Sequence, residues 1–207
     1  MRGAALMARE CLVNLCDPLY RRSTMRSLHR FSQQRRRMLL SSLAGSLVPC
    51  SGAISQSTSL PELRLKLYNL HTTEEIDTVF WQEGEYNLEA LAALNKLLRD
   101  HRTGDIRSID PRLFSLLCLV NNKLDNRRAI SVISGYRSAE TNRKLAKRNA
   151  GVAPNSYHIQ GRAIDLRITG KDTTALRDVG LRLRVGGVGY YKRSDFVHFD
   201  TGPHRSW

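Results

Sequence analysis

Two histidines and one aspartate in the last third of the sequence, His158, Asp165 and His198, are of the types that suit a hydrolytic metal centre. Two imidazoles and a carboxylate with an open fourth position form a ligand set that polarises a carbonyl and activates water. Taken alone each is a weak signal, because a single histidine on a strand is more often structural. Their surroundings strengthen them as a group. His158 lies in Ser156-Tyr157-His158-Ile159-Gln160-Gly161-Arg162-Ala163-Ile164-Asp165, where Gly161 interrupts any helix and a strand-like run follows. On that run Ala163 and Asp165 share one face, while Ile164 and Leu166 point to the other, into a core. Ala163 is small enough to leave room for an ion beside Asp165. His198 lies in Asp195-Phe196-Val197-His198-Phe199-Asp200. There Val197 and Phe199 form the apolar face, and Phe196, His198 and Asp200 project the other way. If the two strands are neighbours, His198 approaches His158 and Asp165.

The remaining patterns say what must position these strands. Leu63, Leu65 and Leu67 alternate with Arg64 and Lys66, a half-buried strand that Ile76–Trp81 can pair with as a hairpin. Asn87 caps a helix through Leu88, Leu91, Leu94 and Leu98. Asp110-Pro111 is a cap followed by proline at the first helical position, opening a second helix through Val120. Ala129–Ile133 is a short strand that turns at Ser134-Gly135, and Ser138 caps a third helix closed by Gly151. Ala163–Ile168, Gly187–Tyr191 and Phe196–Asp200 read as three further strands, with a short helix near Thr173–Leu183. The expectation is one α+β domain over residues 54–207, with a central antiparallel sheet carrying the metal site and helices on one side.

Composition narrows the class. The 207 residues are 41% hydrophobic and 25% charged, ordinary for a globular chain, yet the formal net charge is +14. Half of that excess comes from residues 1–53, which hold nine arginines against Glu10 and Asp17. The remaining excess is compatible with an anionic partner, but no aromatic residues interleave with it and no DNA-binding motif accompanies it, which argues against nucleic acid. Three of the four cysteines, Cys11, Cys16 and Cys50, precede the patterned region, and Cys118 sits in an apolar run, so no cysteine zinc site is built here. Residues 1–53 read as a leader: Gln34-Arg35-Arg36-Arg37 precede an apolar run, Met38–Val48, that is too short to span a bilayer. Ser51 and Ala53 suit cleavage after Ala53, and the arginine cluster resembles a twin-arginine export signal. Pro49 before Cys50 makes a poor lipoprotein box.

Four segments together are highly specific. Ser134-Gly135-Tyr136-Arg137-Ser138, Ser156-x-His158-x-x-Gly161-x-Ala163-x-Asp165, Gly186-Gly187-Val188-Gly189-Tyr190-Tyr191 and Val197-His198-Phe199-Asp200-Thr201-Gly202 resemble the D-Ala-D-Ala metallopeptidase group. That group shares its zinc fold with lysostaphin-type endopeptidases and the hedgehog signalling domain. The likeness is greatest to its MepK branch, periplasmic murein endopeptidases exported by the twin-arginine route, and it runs from about Leu60 to Trp207. The resemblance implies zinc held by His158, Asp165 and His198, and peptidoglycan stem peptides as substrate. In the MepK branch the preferred bond is the crosslink between two diaminopimelate residues. A carboxypeptidase acting on stem peptides and a catalytically silent wall-binding module remain open alternatives. Arg137 matches the family arginine that contacts the substrate carbonyl or carboxylate, a role its planar charged fork suits. Asp195, three residues before the last histidine, matches the acidic general base of several relatives. Asp200, on the same strand face as His198, is the rival for that role or else orients the imidazole. Ser156 is either a substrate contact or a loop brace, and His204 reads as part of a basic tail.

Overall fold

The computed structural model describes residues 62–148, 151–184 and 186–207. The arginine cluster, the apolar run Met38–Val48 and the cleavage point at Ala53 lie outside the described residues.

Alternation in the leucine run produces the first strand as expected: in β1 (Glu62–Asn69) Leu65, Leu67 and Asn69 are buried while Glu62 and Arg64 face solvent. It pairs antiparallel with β2 (Glu75–Gln82), and β2 with the short β3 (Glu85–Tyr86). Asn87 then caps α1 (Leu88–Leu97), its side chain accepting from the Ala90 N–H. Asp110 caps α2 (Pro111–Lys123), with proline where a missing N–H costs nothing. β4 (Ile130–Ser134) returns beside β1, and because two helices intervene it arrives parallel to it. The sheet is therefore not wholly antiparallel. The other strands are β5 (Ala163–Ile168), β6 (Gly187–Tyr191), β7 (Phe196–Asp200) and β8 (Arg205–Ser206), in the order β3-β2-β1-β4-β5-β7-β6-β8. β8 adds a second parallel edge, to β6.

One face of this sheet is the core. Ile164, Leu166, Val197 and Phe199 point into it, together with Leu94, Leu97 and Leu98 of α1 and Leu113, Phe114 and Leu117 of α2. Leu176 and Val179 of α4 (Thr173–Leu183) close it. The third helix, α3 (Ala139–Ala146), contributes no residue to this core and stands by the opposite face. It is shorter than its expected end at Gly151. The Asn142 amide donates to the carbonyls of Ala153 and Pro154, at 3.1 and 3.4 Å, folding the following loop back over the helix.

The start of α3 is tied down by a carboxylate from elsewhere. Asp100 is buried and accepts from the N–H groups of Arg102 (3.0 Å) and Ser138 (2.9 Å). Burial pushes its pKa up, but hydrogen bonds from Thr141, Arg102 and Ser138 outweigh this and hold it at about 2. A depressed carboxylate stabilises the fold above its unfolded pKa and loses that contribution as pH falls through the folded value. Asp100→Asn is therefore expected to lower unfolding stability by about 2 kcal/mol near neutral pH. Urea titrations should show the gap between the two proteins closing as the pH falls from about 4 to about 2. A gap that stays constant with pH would mean that the charge of Asp100 contributes nothing.

Candidate metal centre

Antiparallel pairing of β5 with β7 sets Asp165 directly opposite His198, both on the face turned away from the core. His158 arrives from the loop before β5. That loop turns at Gly161, whose φ of +69° is left-handed and whose Cα lies so close to Ser108 that a Cβ would stand 2.5 Å from its carbonyl oxygen. Glycine alone tolerates both conditions. The Gly161 carbonyl accepts from the Asp110 N–H at 2.9 Å, fixing the loop to the start of α2.

Three ligand atoms converge. His198 Nδ1 lies 2.8 Å from Asp165 Oδ1 and 3.2 Å from His158 Nε2, which is itself 3.3 Å from Asp165 Oδ1. All three residues are buried, and they form the one such group of metal-ligating side chains among the described residues. The outer nitrogens settle the tautomers. His158 Nδ1 lies 2.7 Å from the Gly135 carbonyl, which can only accept, so this nitrogen carries the proton and Nε2 presents a lone pair. His198 Nε2 lies 3.1 Å from Asp200 Oδ2 and donates to it, so Nδ1 presents its lone pair to the same point. Two imidazole lone pairs and a carboxylate oxygen aimed at one position fit a zinc-like divalent cation.

Electrostatics agree. Burial disfavours the Asp165 charge, but the two imidazoles of His158 and His198 beside it outweigh this and hold the carboxyl well below the usual range. Asp200 behaves alike: burial is overcome by bonds from His198, Arg205 and the Gly202 N–H. Burial lowers the pKa of His198, yet the neighbouring carboxylates of Asp165 and Asp200 leave it raised. A bound ion would replace the direct contacts among the three ligand atoms.

A cleft of about 570 Å³ opens onto these residues. Arg137, Leu145 and residues 151–153 and 155–158 line part of it, and Tyr191, Phe196, Arg205 and Trp207 line the rest. Arg137 is there because Ser138 caps α3 beside it. Its guanidinium makes only long contacts, 3.3 Å to Asn142, 3.4 Å to Ser134 and 3.7 Å to Asp165 Oδ2, and its buried Nε meets no acceptor. Ser156 accepts from the His158 N–H at 3.3 Å, which braces the loop, and it also lines the cleft.

The family described as peptidoglycan L,D-endopeptidase MepK matches residues 57–207. A protein of that description from Escherichia coli K12 is 43% identical over 183 residues, covering 87% of this chain and all of the relative. One from Haemophilus influenzae, described as "Probable peptidoglycan L,D-endopeptidase MepK", is 41% identical over 163 residues, 78% of this chain and 87% of its own length. This chain belongs to the MepK family. It folds as a mixed α+β domain.

Within that family framework Asp195 stands apart from the triad. It has left-handed backbone torsions (φ 51°) where a 3-10 turn at Lys192–Ser194 ends. Its carboxylate accepts from Thr173 Oγ1 at 3.1 Å and lies 3.7 Å from Arg167, with the side chain 64% exposed. It does not line the cleft. The physical reason is the left-handed turn before β7, which aims the carboxylate at Thr173 and Arg167 instead of along the ligand face of the strand. Asp200 is fully buried, gripped by Arg205 at 2.6 Å, and therefore orients His198 rather than standing over the metal position. His204 is exposed and outside the cleft. Asp200→Asn is expected to weaken metal affinity or turnover by about 10–100-fold. Asp195→Asn is expected to stay within about threefold of the parent rate, because general-base loss would cost about 10²–10⁴. Zinc content and muropeptide cleavage read both, and a dead but metal-loaded Asp195→Asn protein would return the base to Asp195.

Arg205 and Trp207 were missed by the sequence reading. Nothing in the periodicity of so short a segment marks it as a strand, and Arg205 resembles tail charge. The signal that could have found them is Asp200 itself, a carboxylate on the site face that needs a cation.

Proposed function

We propose that the chain is a zinc-dependent murein endopeptidase that hydrolyses peptide crosslinks of peptidoglycan, those between diaminopimelate residues first among them. One observation carries this reading: two imidazoles whose outer nitrogens are committed to Gly135 and Asp200 turn their lone pairs, with Asp165, onto one point at the floor of a cleft. Family membership supplies the substrate class, since the relatives are described as peptidoglycan L,D-endopeptidases.

His158, Asp165 and His198 would hold the zinc. When bound it supplies a Lewis acid for the scissile carbonyl and a water of lowered pKa. The protein does the rest. Asp200 keeps His198 in the tautomer that ligates, and Gly135 does the same for His158. Arg137, with a donor unmet, receives the oxygen on which negative charge develops or a carboxylate of the substrate. Tyr157, Tyr191 and Trp207 shape the channel in which a stem peptide would lie.

Neither alternative is favoured. Nothing in the cleft points to a carboxypeptidase over an endopeptidase, and the family is one of endopeptidases. A silent binding module would have no use for an underused arginine beside the ligand set. Digestion of purified sacculi with the protein, with and without chelator, tests the proposal by mass spectrometry of the released muropeptides. Loss of crosslinked dimers only when zinc is present supports it, and unchanged sacculi overturn it.

We further infer that the chain acts in the periplasm, delivered by the twin-arginine route; the support is the sequence Arg35-Arg36-Arg37 before Met38–Val48 and the location of the proposed substrate. Exchanging those arginines for lysine is expected to leave the precursor in the cytoplasmic fraction. Unimpaired delivery to the periplasm would refute the route.

A further inference from the structure

Trp207 is placed where the proposed catalysis does not use it, and its placement is elaborate. Its main chain is locked to β6, with its N–H donating to Val188 and its carbonyl accepting from Tyr190, at 3.2 and 3.0 Å. Its indole covers Gly189, which in the β6–β7 pairing stands opposite the ligand His198. A Cβ at Gly189 would lie 2.6 to 2.8 Å from three indole atoms, so the absence of a side chain there is what admits the ring. The ring centroid comes 5.3 Å from that of His198, Arg205 lies against it at 5.0 Å, and the residue is still 51% exposed. Its Nε1 donates to Tyr191 Oη at 3.0 Å, and Tyr191 stacks on Phe196 with centroids 4.5 Å apart.

A half-exposed indole next to a buried ligand set leaves apolar area uncovered, which water alone does not repay. The contact with Tyr191 also has a direction. Tyr191 Oη takes the indole hydrogen, so its own hydroxyl hydrogen is left to donate elsewhere, and Tyr191 lines the cleft. We propose that Trp207 and Tyr191 form a specificity subsite, in which the indole packs against the methylene chain of a diaminopimelate-type residue flanking the scissile bond and the Tyr191 hydroxyl donates to a carbonyl or carboxylate oxygen of that residue. A long aliphatic chain with polar groups at its ends matches an apolar plate bordered by one donor and by the cationic Arg205. This subsite rests on the peptidase reading above.

The test compares the zinc-loaded parent with Trp207→Ala, Trp207→Phe and Gly189→Ala on crosslinked muropeptides. Losing the contact of several methylenes with the indole should raise KM about tenfold in Trp207→Ala. kcat and zinc content should stay within about threefold, and Trp207→Phe should recover part of the loss. Gly189→Ala keeps the indole but displaces it, so it should raise KM similarly; it and Trp207→Phe decide the matter if Trp207→Ala does not fold. Binding is read separately by fluorescence. The chain has two tryptophans, and Trp81 is buried in the core, so an uncrosslinked tetrapeptide muropeptide should shift an emission that Trp207→Phe no longer shows. Unchanged KM in the variants, or kcat and zinc falling together at constant KM, overturns the subsite while leaving the peptidase assignment intact. A parent protein that cleaves no muropeptide at all refutes the peptidase reading instead.

Discussion

His158→Ala should yield a folded protein that binds no zinc and cleaves crosslinked muropeptides about a thousandfold more slowly or worse. The size follows from what the ion supplies, several kcal/mol of charge stabilisation at about 1.4 kcal/mol per factor of ten. Folding should survive because the ligands ride on a sheet with its own core: Ile164, Leu166, Val197 and Phe199 point away from them and stay packed. In this respect the domain differs from a zinc finger, whose fold is its metal site. Metal analysis, thermal unfolding and muropeptide cleavage on one preparation separate the three statements. Asp165→Ala should behave alike. Full zinc occupancy in either variant would reject this ligand set, and collapse of the fold would reject the claim that the sheet stands without it.

Arg137→Lys should cost about 10²–10³ in turnover with zinc retained, the loss typical of removing one donor to a developing oxyanion. Charge is conserved in that change, so the loss would measure geometry. Lysine offers a point charge on a flexible stem, and it cannot present two coplanar N–H groups to one carbonyl or carboxylate. The structure makes the expectation sharper than residue type alone. The polar contacts of the Arg137 guanidinium are 3.3 Å or longer and its buried Nε has no acceptor, so the side chain is held in place without being used up. Unchanged kinetics on muropeptides would assign it to structure alone.

Much of this was legible because strand alternation is a strong code. The faces of Ala163–Ile168 and Phe196–Asp200 followed from the order of apolar and polar residues, and their adjacency put Asp165 opposite His198 as the pattern required. Asn87, Asp110 and Ser138 each cap the helix that their sequence context announced. Asp195 illustrates the limit. Its spacing from His198 suited a base, but spacing does not say that a 3-10 turn will end there and send the carboxylate to Thr173. The parallel seam between β1 and β4 was hidden for a different reason: pairing partners far apart in sequence leave no local periodicity. Trp207 and Arg205 were invisible because two-residue strands carry no pattern, and their roles depend wholly on what β6 and β7 offer them.

The alternation in β7 also sets which length changes the gene can tolerate. Val197 and Phe199 are core residues, while His198 between them is a ligand, so the two functions of this strand are interleaved one residue apart. Removing a single residue between Phe196 and His198 would shift the downstream register by one and exchange the two faces. The ligand would be driven into the hydrocarbon interior and a phenylalanine presented to the ion. A codon lost within this strand is thus a double lesion of stability and chemistry, whereas one gained in the exposed turn at residues 192–194 alters only a loop. Insertions and deletions among homologous genes should therefore gather in that turn and spare the strand beside it.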